Sequence, residues 1–420
     1  MGTIAPGSRV AVAPYTCTPY TLCSALSDRP ELLAVLRIDH PVSLFPWFER
    51  DDDIRPQITT FFATPADREP ANSGYLGYLP VGKWQENEVP EGLGQEPDAY
   101  LVSVSPPDRH GYCSFGPGVW FSPSLCRRSR SVIAEVREGF IRTGGRNFVH
   151  VSQIDYFVEA RRQAKRVQLP PRRDDEQQVT EVISALVASE LVHDRDTLQI
   201  GVGTVSAALA SYLDGKHDLG IQTEIITGGI ADLVEKGVVT GRYKTLHPGK
   251  VVGSALIAMR REELALIDGN PTFELYEFGY VNDVRLTMRE ENLVAVNNAL
   301  LVDLTGQVAS ETIGTRVWSG VGGQTAFAIA SQYSHGGRSI TVLPSSHTID
   351  GELRSRIVPT LEEGTVVTVP RTFVDYVVTE YGVATLRGKT VRERIGELIT
   401  VAHPDLRAEL RQQATRLYAV

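Results

Sequence analysis

The sequence has few of the residues that cross-link proteins or bind metals. Its 420 residues include four cysteines, Cys17, Cys23, Cys113 and Cys126, with no CxxC pair and no histidine cluster beside them at metal-ligand spacing. We therefore expect reduced thiols and no metal site. The motif Gly-x-Ser-x-Gly is also absent, which disfavours a serine hydrolase.

Long apolar runs and an excess of basic residues are missing as well. No stretch of about eighteen apolar residues occurs, and the N-terminus lacks the basic start and apolar core of a secretory signal. The formal net charge is −9, and the Lys and Arg residues are spread along the chain. We expect a cytoplasmic protein that does not span a membrane and does not bind nucleic acid as its main partner.

The composition and length indicate a globular protein with two domains. Hydrophobic residues make up 42% of the chain and charged residues 22%, which is typical of folded proteins. A chain this long is expected to form two domains of roughly 200 residues each. A charged segment interrupted by Pro170 and Pro171 spans residues 160–176, so we place the domains at 1–170 and 171–420.

Short apolar runs alternate with segments of helical spacing along both halves, which predicts an α/β fold. The predicted strands include Arg9–Val12, Ala99–Val104, 131–136, Thr197–Ile200, 219–223, 339–344, 365–369 and Tyr376–Thr379. The predicted helices include 175–191, 206–213 and a tail over 391–417 that is broken at His403 and Pro404.

One carboxylate lies beside two glycine-rich turns. Glu224 follows the predicted strand 219–223, and the carboxyl ends of strands are where open α/β sheets bind ligands. The first turn contains Gly201, Val202, Gly203, Thr204 and Val205, and the second contains Gly320, Gly322, Gly323 and Gln324. A carboxylate next to exposed backbone N–H groups suits a nucleophile that attacks a thioester, because the turns could hold the resulting oxyanion.

Other interpretations of these residues stay open at this point. Glu224 could be a solvated loop residue, and both turns could serve packing alone. Glu224 could also bind a ribose in a dinucleotide site, but Gly201 and Gly203 lack the third glycine of that motif, and the second turn would have no role. His110 could be a general base, although a loop histidine next to a turn fixed by Asp108 is the simpler interpretation.

Seven segments in the same order make the chain resemble the acetyl-CoA hydrolase/transferase family, of the 4-hydroxybutyrate CoA-transferase type within class I CoA-transferases. The segments are residues 104–114 (VSPPDRHGYCS), 198–203 (LQIGVG), 220–224 (GIQTE), 244–250 (KTLHPGK), 298–307 (NALLVDLTGQ), 319–324 (SGVGGQ) and 377–384 (VVTEYGVA). The likeness covers nearly the whole chain.

The resemblance implies two similar α/β CoA-transferase domains with the active site at their interface. The catalytic glutamate of the family falls on Glu224. The CoA contacts fall on Gly201, Val202, Gly203, Thr204, Val205, Ala299, Gly320, Gly322 and Gly323. Val202 and a glycine of the second turn are the implied oxyanion donors.

Three departures from the family pattern lie near the implied acyl pocket. The chain has Gln222 where the family usually has histidine, and Ala326 where it usually has aspartate. Residues 227–229 (TGG) replace Ser-Asp-Gly. We assign Gln222, Gln324 and Ala326 to the substrate pocket, and the loss of charge there favours a larger or less polar acyl group.

The resemblance implies a CoA-transferase that moves CoA between an acyl-CoA and a small carboxylic acid through a glutamyl-CoA thioester. Coenzyme A is then a substrate, and no cofactor is tightly bound. Homodimers are common in the family. The alternatives are an acyl-CoA hydrolase that uses the same glutamate, and a biosynthetic acyltransferase or a CoA-binding protein on the same fold.

Overall fold

The structure, a computed structural model, describes residues 4–49, 52–82, 96–161 and 174–419. Most of the predicted linker over 160–176 lies outside these ranges.

The first 161 residues form ten strands and four α-helices among the described positions. The strands are β1 Arg9–Val12, β2 Arg37–Asp39, β3 Gln57–Thr60, β4 Leu76–Tyr78, β5 Ala99–Val104, β6 Tyr112–Ser114, β7 Val132–Val136, β8 Gly144–Gly145, β9 Phe148–His150 and β10 Tyr156–Glu159. The helices are α1 Tyr20–Ser27, α2 Pro30–Leu33, α3 Arg68–Asn72 and α4 Ser122–Arg128.

The middle of the chain alternates strands and helices. Its elements are α5 Asp174–Leu186, β11 Thr197–Ile200, α6 Thr204–Leu209, β12 Gly220–Gln222, β13 Ile225–Thr227, α7 Ile230–Glu235, β14 Val251–Gly253, β15 Ala255–Ile257, α8 Arg261–Ile267, β16 Phe273–Leu275 and α9 Phe278–Val281. A π-helical stretch, Val187–Leu191, continues α5.

The last part of the chain contains the remaining elements. They are α10 Val284–Thr287, β17 Leu293–Asn298, β18 Leu301–Asp303, β19 Val308–Ala309, β20 Thr312–Ile313, β21 Arg316–Val317, α11 Gln324–Tyr333, β22 Arg338–Val342, β23 Ser346–Ile349, β24 Glu352–Ser355, β25 Ile357–Val358, β26 Tyr376–Thr379, β27 Gly382–Thr385, α12 Val391–Thr400 and α13 Arg407–Tyr418.

The chain forms two compact units that interleave along the sequence. Unit 1 comprises Met1–Pro170, Val252–Val281 and Val317–Gly322, and unit 2 comprises Pro171–Val251, Asn282–Arg316 and Gly323–Val420. Compact units of this kind need not coincide with the domains of a fold, so the division into 1–170 and 171–420 stays a prediction.

Unit 1 is built on a seven-stranded sheet in the order β10-β7-β5-β1-β2-β3-β4. All six strand pairs are parallel. All six residues of β5 are buried, as expected for a strand that is covered on both faces. Prolines at 106 and 107 follow it, and proline cannot donate to a strand ladder.

The main sheet of unit 2 carries the strands that matter for the site. Within this unit the order is β27-β26-β22-β17-β11-β12. The pairs are parallel except for β26 with β27. The strand order reverses between β11 and β17, because β12 follows on one side and the later strands lie on the other. In an open α/β sheet, such a reversal marks the edge where ligands bind.

The predicted α/β class is confirmed. Four of the predicted strands, Arg9–Val12, Ala99–Val104, Thr197–Ile200 and Tyr376–Thr379, have the predicted bounds. The predicted strand over 365–369 is wrong, because there only Val369 forms an isolated bridge, to Val308. All four cysteines are buried and none forms a disulfide. No helix in the described ranges is both long and apolar enough to cross a membrane.

Candidate active site

Glu224 lies just beyond the carboxyl end of β12 in unit 2. The strand ends at Gln222, and its residues Gly220 and Ile221 pair with Thr197 and Leu198 of β11. Glu224 itself is half-buried. The sheet therefore places this carboxylate at its carboxyl edge, as the sequence predicted, and in open α/β sheets ligands bind at that edge.

Thr223, the residue before Glu224, is hydrogen-bonded to the neighbouring strand β11. Its buried hydroxyl oxygen accepts a hydrogen bond from the N–H of Ile200, the last residue of β11, at 3.2 Å. The same hydroxyl lies 3.2 Å from the carbonyl oxygens of Ile200 and Ile225, and can donate to either. Because Ile200 leads directly into Gly201, this contact fixes Glu224 relative to the first glycine turn.

The first glycine turn packs closely against the end of β17. A Cβ atom at Gly201 would lie 2.5 Å from Asn297 Oδ1, and one at Gly203 would lie 2.2 Å from Asn298 Nδ2. Real Cβ atoms do not approach other atoms so closely, so a side chain at either position would have to displace the amide of Asn297 or Asn298. Between them, the side chain of Val202 is 57% exposed.

Asn297 is held in place by a second amide. Asn297 Nδ2 donates to Gln199 Oε1 at 2.7 Å, and Gln199 Nε2 donates to Asn297 Oδ1 at 3.1 Å. Both side chains are buried. The reciprocal pair joins β11 to β17 at the strand reversal, and it makes the surface on which the turn rests rigid.

The carboxylate of Glu224 lies against the backbone of Gly323, at the start of α11. A Cβ atom at position 323 would lie 2.2 Å from Glu224 Oε2 and 2.5 Å from Asn282 Oδ1. Asn282 is 1% exposed. The amino end of a helix carries partial positive charge, so α11 stabilises a negative charge at this place. Gly323, Asn282 and Glu224 all belong to unit 2.

The rest of the second glycine turn belongs to unit 1. A Cβ atom at Gly320 would lie 2.5 Å from the carbonyl oxygen of Phe61, and Gly322 has a φ of +58°. Asn72 exchanges two hydrogen bonds of 2.9 Å with the backbone of Val317, just before this turn. The sequence groups Gly320, Gly322 and Gly323 together, whereas the compact units divide them after Gly322.

The residues assigned to the substrate pocket are buried in unit 2. The exposed fraction is 2% for Gln222, 9% for Gln324 and 2% for Ala326. Gln222 Oε1 accepts a hydrogen bond of 3.1 Å from Lys244 Nζ. Ala299, a predicted CoA contact, is 9% exposed. Their contact with a substrate stays a prediction.

Comparison with known proteins bears on the identity of this site. A model of the acetyl-CoA hydrolase/transferase N-terminal domain matches residues 89–169, and one of the acetyl-CoA hydrolase/transferase C-terminal domain matches residues 261–414. The chain is 37% identical to the 4-hydroxybutyrate coenzyme A transferase of Clostridium kluyveri, over 96% of this chain and 92% of that protein. The chain belongs to the acetyl-CoA hydrolase/transferase family.

Other relatives agree with membership of the acetyl-CoA hydrolase/transferase family. The chain is 34% identical to the succinyl-CoA:cyclohexane-1-carboxylate CoA transferase of Geobacter metallireducens, over 95% of this chain and 90% of that protein. The crystal structure of RipA from Yersinia pestis superposes with a TM-score of 0.88 at 30% identity, covering 100% of this chain and 96% of that one. The 4-hydroxybutyrate CoA-transferase from Porphyromonas gingivalis superposes with a TM-score of 0.78 at 30% identity, covering 99% and 95%.

Some residues beside the candidate site were given no role from the sequence. Lys244 and Asn298 lie within segments that carried the family resemblance, but neither was given a role. Asn282 gave no signal, since it lies in no motif and comes close to Glu224 only in the folded chain. No group of three His, Cys, Asp or Glu side chains with the arrangement of a metal site occurs in the described part of the chain.

Proposed function

We propose that the protein is a CoA-transferase, which moves CoA from an acyl-CoA to a carboxylic acid through a glutamyl-CoA thioester on Glu224. The observation that carries the proposal is the position of the Glu224 carboxylate, at the carboxyl edge of the sheet and against the start of α11. Membership of a family named for acetyl-CoA hydrolases and transferases supports the same chemistry.

The first half-reaction transfers CoA to the enzyme. A carboxylate oxygen of Glu224 attacks the thioester carbonyl of the acyl-CoA, which expels the CoA thiolate and leaves a mixed anhydride. The thiolate then attacks the glutamyl carbonyl of this anhydride, which releases the carboxylate of the first acid and leaves glutamyl-CoA. The second half-reaction repeats these two steps in reverse with the acceptor carboxylate, and it regenerates Glu224.

Each attack creates a negative charge on a carbonyl oxygen, which needs hydrogen-bond donors. We assign this role to the N–H of Val202 and to an N–H of the second glycine turn. Removing one such donor costs about 3 kcal/mol of transition-state stabilisation in other enzymes. Gly201, Gly203, Thr204, Val205, Ala299, Gly320, Gly322 and Gly323 are the proposed contacts for CoA.

The names of relatives suggest substrates for the first assays. They are called transferases for 4-hydroxybutyrate, for cyclohexane-1-carboxylate, and for butyryl-CoA with acetate. We propose acyl-CoA and a small monocarboxylic acid as the substrate class, with butyryl-CoA and acetate as the test pair. We do not base this choice of substrate on Gln222, because its side-chain oxygen accepts a hydrogen bond from Lys244.

The variant Glu224→Gln tests the nucleophile, because an amide keeps the shape of the side chain but cannot form the anhydride. We expect kcat to fall at least about 1,000-fold while the protein stays folded and still binds CoA. Glu235→Gln is the matched control, because Glu235 is an exposed residue at the end of α7 in the same unit. Near-normal turnover by Glu224→Gln would refute the proposal.

Trapping the intermediate tests its position. Borohydride added with butyryl-CoA is expected to reduce the thioester and to inactivate the wild-type protein, with the modified residue at 224 by peptide mass spectrometry. A label on a different residue would place the chemistry elsewhere.

The family description also covers hydrolysis, in which water attacks the same glutamyl-CoA. Measuring thioester consumption with and without acetate distinguishes the two reactions. A transferase consumes butyryl-CoA beyond one equivalent of enzyme only when acetate is present, whereas a hydrolase does so in its absence.

A further inference from the structure

Lys244 is a buried lysine that lies along the strand leading to Glu224. Its side chain is only 4% exposed. Its stem crosses β12 at Gly220, where a Cβ atom would lie 2.5 Å from Lys244 Cγ and 3.0 Å from Cδ. Gly220 is therefore a glycine because the lysine stem occupies the space of a side chain.

The ammonium group is bonded to the end of β12. Lys244 Nζ donates to the carbonyl oxygen of Ile221 at 2.7 Å, to Gln222 Oε1 at 3.1 Å, and to the carbonyl oxygen of Lys250 at 3.1 Å. Hydrogen bonds from a charged donor are stronger than neutral ones, and burial from water strengthens them further. Two of these acceptors belong to the last two residues before Thr223 and Glu224.

A buried carboxylate, Glu290, lies within electrostatic reach of Lys244. Glu290 is 0% exposed, and it accepts hydrogen bonds from the N–H groups of Thr245 at 2.6 Å and Leu246 at 3.0 Å. Burial raises the pKa of Glu290, and the charge of Lys244 opposes that rise. A buried charge is tolerated when it is compensated and hydrogen-bonded, and the ammonium of Lys244 has three hydrogen-bond acceptors.

We propose that Lys244 is a positioning residue for Glu224, and that Gln222 acts with it by accepting its hydrogen bond. This inference rests on the proposed role of Glu224. Thr223 fixes the backbone before Glu224 to β11, and Lys244 fixes the two residues before Thr223 to the 244–250 segment. A carboxylate nucleophile must be held within a fraction of an ångström of its productive position, so loosening this anchor slows the attack.

Two substitutions test the anchor. Lys244→Met keeps the unbranched stem over Gly220 but removes the ammonium, and Gln222→Leu removes one acceptor while leaving the lysine its two carbonyl partners. Lys236→Met is the matched control, because Lys236 is exposed and pairs with exposed Asp214 in the same unit.

The measurement is a single turnover with excess butyryl-CoA and no acceptor, quenched at intervals, with glutamyl-CoA quantified by mass spectrometry of the intact protein. A positioning role lowers the rate constant of adduct formation and leaves the final amplitude near that of the wild type. We expect about a tenfold or greater decrease for Lys244→Met and a severalfold decrease for Gln222→Leu. Lys236→Met should match the wild type.

The double variant, which carries both Lys244→Met and Gln222→Leu, tests whether the effects of the two side chains are coupled. If Lys244 acts partly through Gln222, the effects of the two substitutions overlap. The double variant then has a higher rate constant than the product of the two single-variant effects predicts. Fully multiplicative effects would contradict the proposed coupling.

Three outcomes would overturn the inference. One is a folded Lys244→Met protein with the wild-type rate constant. Another is a reduced amplitude with an unchanged rate constant, since that reports only a smaller folded fraction. The third is a wild-type rate constant for Gln222→Leu, which decides the question if Lys244→Met does not fold. Turnover by Glu224→Gln would instead refute the proposed function, whatever these variants do.

Discussion

Glu224 and Gly323 are in contact because position 323 has no side chain. The carboxylate oxygen and the amide oxygen of Asn282 both occupy the space that a Cβ atom would take. Gly323 itself has a φ of −90° and a ψ of −5°, which any residue can adopt. Glycine is therefore needed here for close approach to the carboxylate and not for backbone conformation.

This distinction predicts the effect of Gly323→Ala. The added methyl group should displace the Glu224 carboxylate, while α11 forms normally and the protein stays folded. We expect kcat with butyryl-CoA and acetate to fall at least about 100-fold, because a displacement of about 1 Å in a reacting group has an effect of that size.

Gly215→Ala is the control for Gly323→Ala. No atom lies within 4 Å of the Cβ position at Gly215, which belongs to the same unit. Wild-type activity is expected for this variant, as judged by initial rates at saturating substrate. Wild-type activity for Gly323→Ala would mean that the carboxylate can move without loss of function.

At the scale of single residues, the sequence pointed to a candidate nucleophile but not to the contacts around it. The carboxylate at 224 and the glycines on either side of Val202 stand out because of their local pattern. The contact of Asn282 with this site could not be predicted, since 58 positions separate it from Glu224 in the numbering of the chain. Gln222 was assigned to the substrate pocket, and only the folded chain shows its bond to Lys244.

The elements of the fold follow local sequence signals where those signals are strong. Helix α12 begins with a capping box, in which Thr390 Oγ1 accepts from the N–H of Glu393, and Glu393 Oε2 accepts from the N–H of Thr390 at 2.7 Å. Such reciprocal bonds satisfy donors that the first turn of a helix leaves unpaired. The break at His403 and Pro404 before α13 was predicted and is observed.

Gly396 gives a prediction at the scale of this helix. It lies in the middle of α12, it is exposed, and nothing lies within 4 Å of its Cβ position. Gly396→Ala should raise the free energy of unfolding by about 0.5–1 kcal/mol, because alanine loses less backbone entropy on folding. The midpoint of thermal unfolding should rise accordingly.

Gly388 provides the matched contrast for this prediction. It also has nothing within 4 Å of its Cβ position, but its φ is +74°. Gly388→Ala should therefore lower the midpoint, because a side chain is strained in that conformation. If both substitutions shift the midpoint in the same direction, the explanation from backbone conformation is wrong.

The wrong prediction at 365–369 shows the limit of local patterns. That segment is rich in β-branched residues, yet Val366 and Val367 are 43% and 37% exposed. An apolar run forms a strand only if another strand is available to pair with it, and here only the bridge between Val369 and Val308 is present.

At the scale of the whole molecule, a buried histidine links stability to pH. His40 in unit 1 is 0% exposed. Trp47 Nε1 donates to His40 Nδ1 at 3.0 Å, so Nδ1 is unprotonated, and Nε2 lies 3.2 Å from Thr18 Oγ1. Burial lowers the pKa of His40 to about 3, which keeps the folded protein from binding a proton that the unfolded chain takes up near pH 6.5.

The direction of the pH effect follows from this difference in pKa. The contribution of neutral His40 to the free energy of unfolding is fully present above about pH 6.5. It is lost as the pH falls towards 3, since in this window His40 is protonated only in the unfolded chain. At pH 5 the loss is about 2 kcal/mol. We expect the thermal midpoint of His40→Gln to fall less between pH 7 and pH 5 than that of the wild type.

An exposed histidine supplies the control for this measurement. His110→Gln serves as that control, because it replaces a histidine on an exposed loop and leaves His40 and its partners in place. An unchanged pH dependence in His40→Gln would show that His40 is not responsible for it.

The sequence alone determined the α/β class, several of the strands and helices, the family, and the carboxylate that we propose as nucleophile. These follow from residues close together in the chain, whose spacing decides backbone conformation and burial. Only the tertiary structure decided that Gly323 faces Glu224 and that Lys244 donates a hydrogen bond to Gln222. It also decided that the second glycine turn is divided between two units. Contacts of this kind depend on the order of the strands and on how distant segments pack, which no local pattern specifies.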